Sequence, residues 1–112
     1  MTVKLNSSPF GGQARTRALL ALGLLGESYA RELSRLLQMP LSGVQQALKS
    51  LELDGLVAGR SVGRTRVYQL DPRYFASATL AAYLRRLAEP EDELRARTAA
   101  LRRRPRRAGK PL

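Results

Sequence analysis

The sequence predicts a mostly α-helical domain carrying one small β-hairpin. Three observations predict it. Aliphatic residues recur at helical spacing through the N-terminal half, Gly26, Met39-Pro40 and Asp54-Gly55 punctuate that pattern, and two short alternating stretches follow around Ser61-Val62-Gly63. With 112 residues, 44% of them hydrophobic, there is material for one core and one domain.

Residues 1–12 contain Asn6, Ser7, Ser8, Pro9 and paired glycines, and read as a flexible N-terminal segment. A first helix from Gln13 to Leu25 is expected from Ala18, Leu19, Leu22 and Leu25, with Gly26 ending it. Ser28 is the expected N-cap of a short second helix that buries Ala30, Leu33, Leu36 and Leu37 and turns Arg31, Glu32 and Arg35 outward. Met39-Pro40 stops that helix, because a residue before proline is pushed out of the helical region. Ser42 is expected to start the third helix, with Gln45 completing an S-x-x-Q capping box.

In the third helix Val44, Ala47, Leu48 and Leu51 share an aliphatic face. Ser42, Gln45, Gln46 and Lys49 lie on another face and carry a hydroxyl, two amides and an ammonium, groups that reach base edges and phosphates. Asp54-Gly55 closes this helix, and strands Leu56–Arg60 and Arg64–Leu70 make a hairpin around Ser61-Val62-Gly63. Arg60, Arg64 and Arg66 project from its turn and flanks, while Tyr68 and Leu70 face the core.

Pro72 fits the first turn of a helix from Arg73 to Ala88, with Phe75, Leu80, Tyr83, Leu84 and Leu87 apolar and Arg85 and Arg86 outward. After Pro90, the acids Glu91, Asp92 and Glu93 suit the start of a last, thinly apolar helix ending near Leu101, where fraying is expected. The expected organisation is therefore a core domain at 13–72, C-terminal helices at 73–101 and a disordered basic tail at 102–112.

Charge narrows the function. Twenty Lys and Arg stand against nine Asp and Glu, and the stretch from Arg102 to Lys110 holds six cations and no acid. The rest of the chain keeps an excess of about five positive charges, so a polyanion is the expected partner, nucleic acid first. Without Cys or His, thiol-redox sensing, the common metal sites and the usual nucleophile–base pairs are missing; no cofactor is expected, and an enzyme is the least favoured class. The nearly apolar run Ala18–Gly26 falls short of the roughly 20 residues of a membrane span, and the Pro9, Gly11 and Gly12 before it argue against a signal peptide. A cytoplasmic, nucleoid-associated location is expected.

Helix, helix, sharp turn, helix and basic hairpin, in that order, is the arrangement of a winged helix-turn-helix. The residues carry a family resemblance as well, in Tyr29-Ala30-Arg31-Glu32-Leu33, in the run Leu41 to Val57 and in Gly63-Arg64-Thr65-Arg66-Val67-Tyr68-Gln69-Leu70. The chain resembles the ArsR-like winged-helix transcriptional regulators over residues 9–88, most specifically over 29–72. The resemblance implies a sequence-specific regulator of double-stranded DNA, a repressor by kinship. It puts Ser42, Gln45, Gln46 and Lys49 in the major groove and Arg60, Arg64 and Arg66 on the backbone or minor groove. It also implies a homodimer formed through flanking helices, here with Phe75, Leu80, Tyr83, Leu84 and Leu87 as candidates, and a palindromic site. The metal-sensing members use Cys and His ligands, which this chain lacks.

Other readings stand beside these. The third-helix polar face also fits a solvated surface, the hairpin arginines fit edge charges that discourage aggregation, and Tyr83 and Leu87 fit packing inside one chain. As whole-protein alternatives, the charge suits a non-specific nucleic-acid-coating protein, and the fold suits a protein-interaction module with a separately encoded partner.

Overall fold

The structure is a computed structural model that describes residue 5 and residues 8–102 of the chain. Its elements are α1 (Gln13–Leu25), β1 (Glu27–Tyr29), α2 (Ala30–Leu37), α3 (Leu41–Leu53), β2 (Val57–Val62), β3 (Thr65–Leu70), α4 (Ser77–Ala88) and α5 (Asp92–Arg102). The expected tail at 103–112 and positions 1–4 and 6–7 lie outside the described residues.

The fold is built around α1. Every residue from Thr16 to Leu22 is buried, so this helix has no solvent stripe, the pattern of a helix enclosed by other elements. The other four helices and the sheet surround it. At its end Gly26 takes φ 89°, a conformation costly for residues with a Cβ, and its N–H donates to the Leu22 carbonyl. The N-terminal segment is more ordered than expected over residues 8–12. Phe10 donates its N–H to Thr16 Oγ1 at 3.2 Å, accepts Arg15 Nε at 2.7 Å on its carbonyl, and packs edge-on against Tyr83.

Ser28 is not an N-cap. Glu27–Tyr29 pairs antiparallel with β3, Ser28 opposite Tyr68, in a three-stranded sheet of order β1-β3-β2. The backbone of these three residues finds its partners in a strand about forty positions away, which no local pattern reveals. The buried Ser28 hydroxyl donates to Glu32 Oε1 at 2.6 Å, and Glu32, expected to face solvent, is drawn inside with it.

Between α2 and α3 the chain turns through Gln38, the only non-glycine residue with positive φ among the described residues, at 55°. Ser34 fixes the turn from both sides: its carbonyl accepts the Met39 N–H and its hydroxyl donates to the Met39 carbonyl at 2.7 Å. Pro40 then stands at the N-cap, so α3 starts at Leu41, before Ser42. The expected capping box does not form, because Ser42 already lies inside the first helical turn. The aliphatic face is as expected: Val44, Ala47, Leu48 and Leu51 are buried.

The hairpin is longer and its turn tighter than the sequence suggests. Ser61 and Val62 are paired with Arg66 and Thr65, leaving Gly63 and Arg64 as a two-residue turn with Gly63 at φ 62°. Leu56 precedes the strand, its N–H held by the Leu51 carbonyl.

The fourth helix starts at Ser77, not near Arg73. Asp71 Oδ1 accepts the Arg73 N–H at 2.9 Å, and both carboxylate oxygens meet the Arg73 guanidinium, an Asx-type turn that competes with helix. In α4, Leu80 and Leu84 enter the same core as α1, so these two dimerisation candidates are consumed within the chain. Leu87 is half-buried against the core, Tyr83 is half-exposed and Phe75, in the turn before α4, is 93% exposed. The thinly apolar α5 docks through Leu94 and Thr98, and Arg102 Nη1 donates to the Leu24 carbonyl at 2.7 Å. The core domain and the C-terminal helices therefore close one hydrophobic centre.

Two outcomes are expected. Leu84→Ala leaves a cavity against α1 and costs about 2–5 kcal/mol in urea unfolding. The Arg73 hydrogen bonds hold the Asp71 carboxyl below its ordinary value. Its contribution to stability is thus present above about pH 4 and is lost as pH falls through the lowered native pKa. Asp71→Asn should flatten that part of the acid limb in thermal melts.

Candidate nucleic-acid interface

The α3 face nominated by sequence is present. Ser42, Gln45, Gln46 and Lys49 are all exposed, and none has a hydrogen-bond or ion-pair partner among the described residues. Because Pro40 rather than Ser42 caps the helix, the Ser42 hydroxyl and the Gln45 amide are not spent on the backbone. The row continues into Leu53, on the same face as Ser42, Gln46 and Lys49 and 80% exposed, which the sequence reading left out.

The three hairpin arginines do not share one state. Arg64 occupies the turn, exposed and without a partner among the described residues. Arg60 reaches across β3 to Glu27 on β1, Nη2 to Oε1 2.8 Å. Arg66 bonds Glu52 on the last turn of α3, Nη2 to Oε2 2.6 Å, and its guanidinium lies 5.7 Å from the Tyr68 ring centroid. The Glu52 hydrogen bond and charge raise the Arg66 pKa further above its already high value, so the side chain is always cationic.

The remaining cations divide the same way. Arg15 pairs with Asp54 at 2.8 Å, joining α1 to the end of α3. Arg73, Arg86, Arg95 and Arg97 pair with Asp71, Glu89, Asp92 and Glu93. Arg17 is buried, its Nε donating to the Gln13 carbonyl, and desolvation lowers its pKa. Among the described residues, the exposed cations with neither a carboxylate nor a carbonyl partner are Arg31 and Arg35 on α2, Lys49 on α3, Arg64 in the turn and Arg85 on α4. Four of these five belong to α2, α3 and the hairpin. Arg31 and Arg35 were legible as outward-facing but not as members of the site. Their i, i+4 spacing was the available signal, and only the ion pairs elsewhere make them stand out.

Among the described residues no group of three His, Cys, Asp or Glu is placed to hold a metal ion, and no helix is long and apolar enough to cross a membrane.

Several solved structures share this architecture. A probable transcriptional regulator from Pseudomonas aeruginosa is 23% identical over 83% of this chain and 80% of its own, with a TM-score of 0.53. A MarR family transcription regulator is 29% identical over 83% and 71%, with a TM-score of 0.51. Lactococcus lactis ZitR in complex with DNA is 15% identical over 92% and 77%, with a TM-score of 0.52. The fold is a winged helix-turn-helix. In it α2 and α3 form the helix-turn-helix, β2 and β3 are the wing, and β1 is the strand that fastens the wing to the start of α2. No protein-family model matches the sequence, and no curated protein does. The similarity is to winged-helix regulator structures of the MarR and ZitR type, so the likeness to the ArsR-like group rests on the sequence resemblance over residues 9–88 alone.

If this face is the interface, its cations are separable from the fold. Arg31→Ala, Arg35→Ala and Arg64→Ala, each with no partner among the described residues, should leave the thermal midpoint unchanged within about 0.5 kcal/mol of stability, whereas Arg15→Ala, which breaks the Asp54 pair and the Phe10 clamp, should lower it.

Proposed function

We propose that this chain is a sequence-specific double-stranded-DNA-binding regulator of transcription, a repressor of the ArsR-like kind acting in the cytoplasm at the nucleoid, with no catalytic activity. The observation that carries the reading is the polar face of α3 set among cations of α2, α3 and the wing, all without a side-chain partner among the described residues. In a helix-turn-helix the second helix enters the major groove and the first crosses the backbone. Gln45 and Gln46 are suited to adenine, Lys49 to guanine or phosphate, and Ser42 to either a base edge or phosphate. Arg31 and Arg35 then meet phosphates, and Arg64 enters the minor groove or lies on the backbone. The solved structure of ZitR with DNA and the regulators of similar fold support this assignment.

A homodimer belongs to the same proposal. Two symmetric copies present two recognition helices about 34 Å apart, which calls for inverted half-sites. With Leu80 and Leu84 inside the core, Phe75 and Tyr83 are the aromatic candidates left exposed for the interface, with Leu87 at its margin.

The test is selection of purified protein against a randomised duplex pool at near-physiological salt. Enrichment of a recurring inverted motif is expected, and retention without any motif would indicate a non-specific coating protein instead. On the selected duplex, Gln45→Ala and Gln46→Ala should each cost about 1–3 kcal/mol of discrimination at one base position. Arg64→Ala should weaken all sequences alike and reduce the slope of log affinity against log salt by about 0.9.

A further inference from the structure

Resting on the DNA-binding reading above, we infer that Glu52 is a specificity-determining residue, which holds Arg66 in an intramolecular, neutralising pair so that the wing offers arbitrary DNA the cation at its tip, unpaired among the described residues, rather than an additional one on its flank.

A carboxylate on the last turn of a recognition helix is costly beside phosphates unless it has a partner. Glu52 has one. It lies three residues beyond Lys49, and its Oε2 takes the Arg66 guanidinium at 2.6 Å. The guanidinium is held on two further sides. The Tyr68 ring faces it at 5.7 Å, and it lies over the backbone of β2 at Gly59, where a Cβ would come within 2.8 Å of Nε, 2.9 Å of Nη2 and 3.0 Å of Cζ. Gly59 is in ordinary strand conformation, with no positive φ to require a glycine, so the bare Cα there serves the arginine and not the backbone. The cradle spans the recognition helix and both wing strands.

The Arg66 and Glu52 side chains keep 47% and 33% of their surface exposed. Solvent and a phosphate both reach this pair, and an exposed pair of this kind is weakly held. Arg66 is therefore in reserve: its remaining N–H groups reach a phosphate, without giving up Glu52, where the α3 base contacts hold the wing close to the duplex, and the pair stays to itself on duplexes that α3 does not fit. Affinity for arbitrary DNA is lowered in this way more than affinity for the matched site, where the phosphate contact offsets the Glu52 charge.

The experiment measures affinity for a random-sequence duplex against salt concentration for the wild-type chain and Glu52→Gln, Gly59→Ala, Glu52→Gln with Arg66→Gln, and Asp92→Asn. Asp92→Asn is the control for charge: it frees Arg95 from an exposed pair on α5, away from the wing. Gly59→Ala displaces the guanidinium without altering net charge. Glu52→Gln and Gly59→Ala are each expected to bind random duplex more tightly and to steepen the salt slope by about 0.9, the share of one phosphate contact, which makes affinity fall roughly 3- to 4-fold more between 50 and 200 mM salt. The double variant should show no steepening. The inference is overturned if Glu52→Gln steepens the slope no more than Asp92→Asn, if the effect survives in the Arg66→Gln background, or if Gly59→Ala behaves as wild type. Failure of the wild-type chain to retain any duplex at low salt overturns the DNA-binding reading itself, and this inference with it. Circular dichroism melts of each variant confirm that the compared chains are folded.

Discussion

Enclosure of α1 on every side is the constraint on which the rest depends. A helix whose residues from Thr16 to Leu22 are all withdrawn from water must be wrapped completely, and in a chain this short the wrapping uses the other four helices together with β1 and β3. Helices α2 and α3 cover part of it, the sheet another, and α4 and α5 the remainder. This is why the C-terminal helices are not an appendage. Leu80, Leu84, Ala88 and Leu94 complete the same core that Leu33, Leu48 and Leu51 begin. It also explains why a helix as polar as α5 is held in place: Leu94 and Thr98 need only fill the last gap over α1.

From that rigid centre the turn between α2 and α3 sets what the surface can do. Ser34 binds both polar groups of Met39, Gln38 accepts the left-handed conformation, and Pro40 begins α3 with its own fixed backbone. The side chains of Ser42 and Gln45 are consequently left without a partner among the described residues. A small difference in where a helix begins converts a structural pair into two solvent-facing polar groups on an exposed face, the condition under which they can discriminate between base edges.

Charge is distributed by the same logic. The net positive balance is a property of composition, but its placement is not uniform, because carboxylates neutralise arginines at the end of α3, on the wing flanks and along α5. Apart from the part-buried Arg15–Asp54 pair, exposed ion pairs of this kind contribute little to stability. Their larger effect is to subtract cations from the surface potential, leaving α2, α3 and the tip of the wing, with Arg85 on α4, as the places where the field of the described residues is uncompensated.

The sequence by itself determined the order of the five helices and the hairpin, the extent of α1, the aliphatic face of α3, the exposed row Ser42, Gln45, Gln46 and Lys49, and the basic character of the hairpin. Each rests on local periodicity or on a residue with restricted backbone freedom, which acts within a few positions along the chain. Only the tertiary structure decided the rest. Ser28 became a strand residue because its backbone partners lie on β3. Leu80 and Leu84 became core because α1 faces them, whereas Phe75 stayed outside because Asp71 and Arg73 delay the start of α4. Arg60, Arg64 and Arg66, identical in sequence terms, became two paired side chains and one without a partner among the described residues because Glu27 and Glu52 arrive from other elements. Periodicity reports which way a side chain points, but pairing depends on what distant parts of the chain bring to meet it, and that is decided by packing around the buried helix.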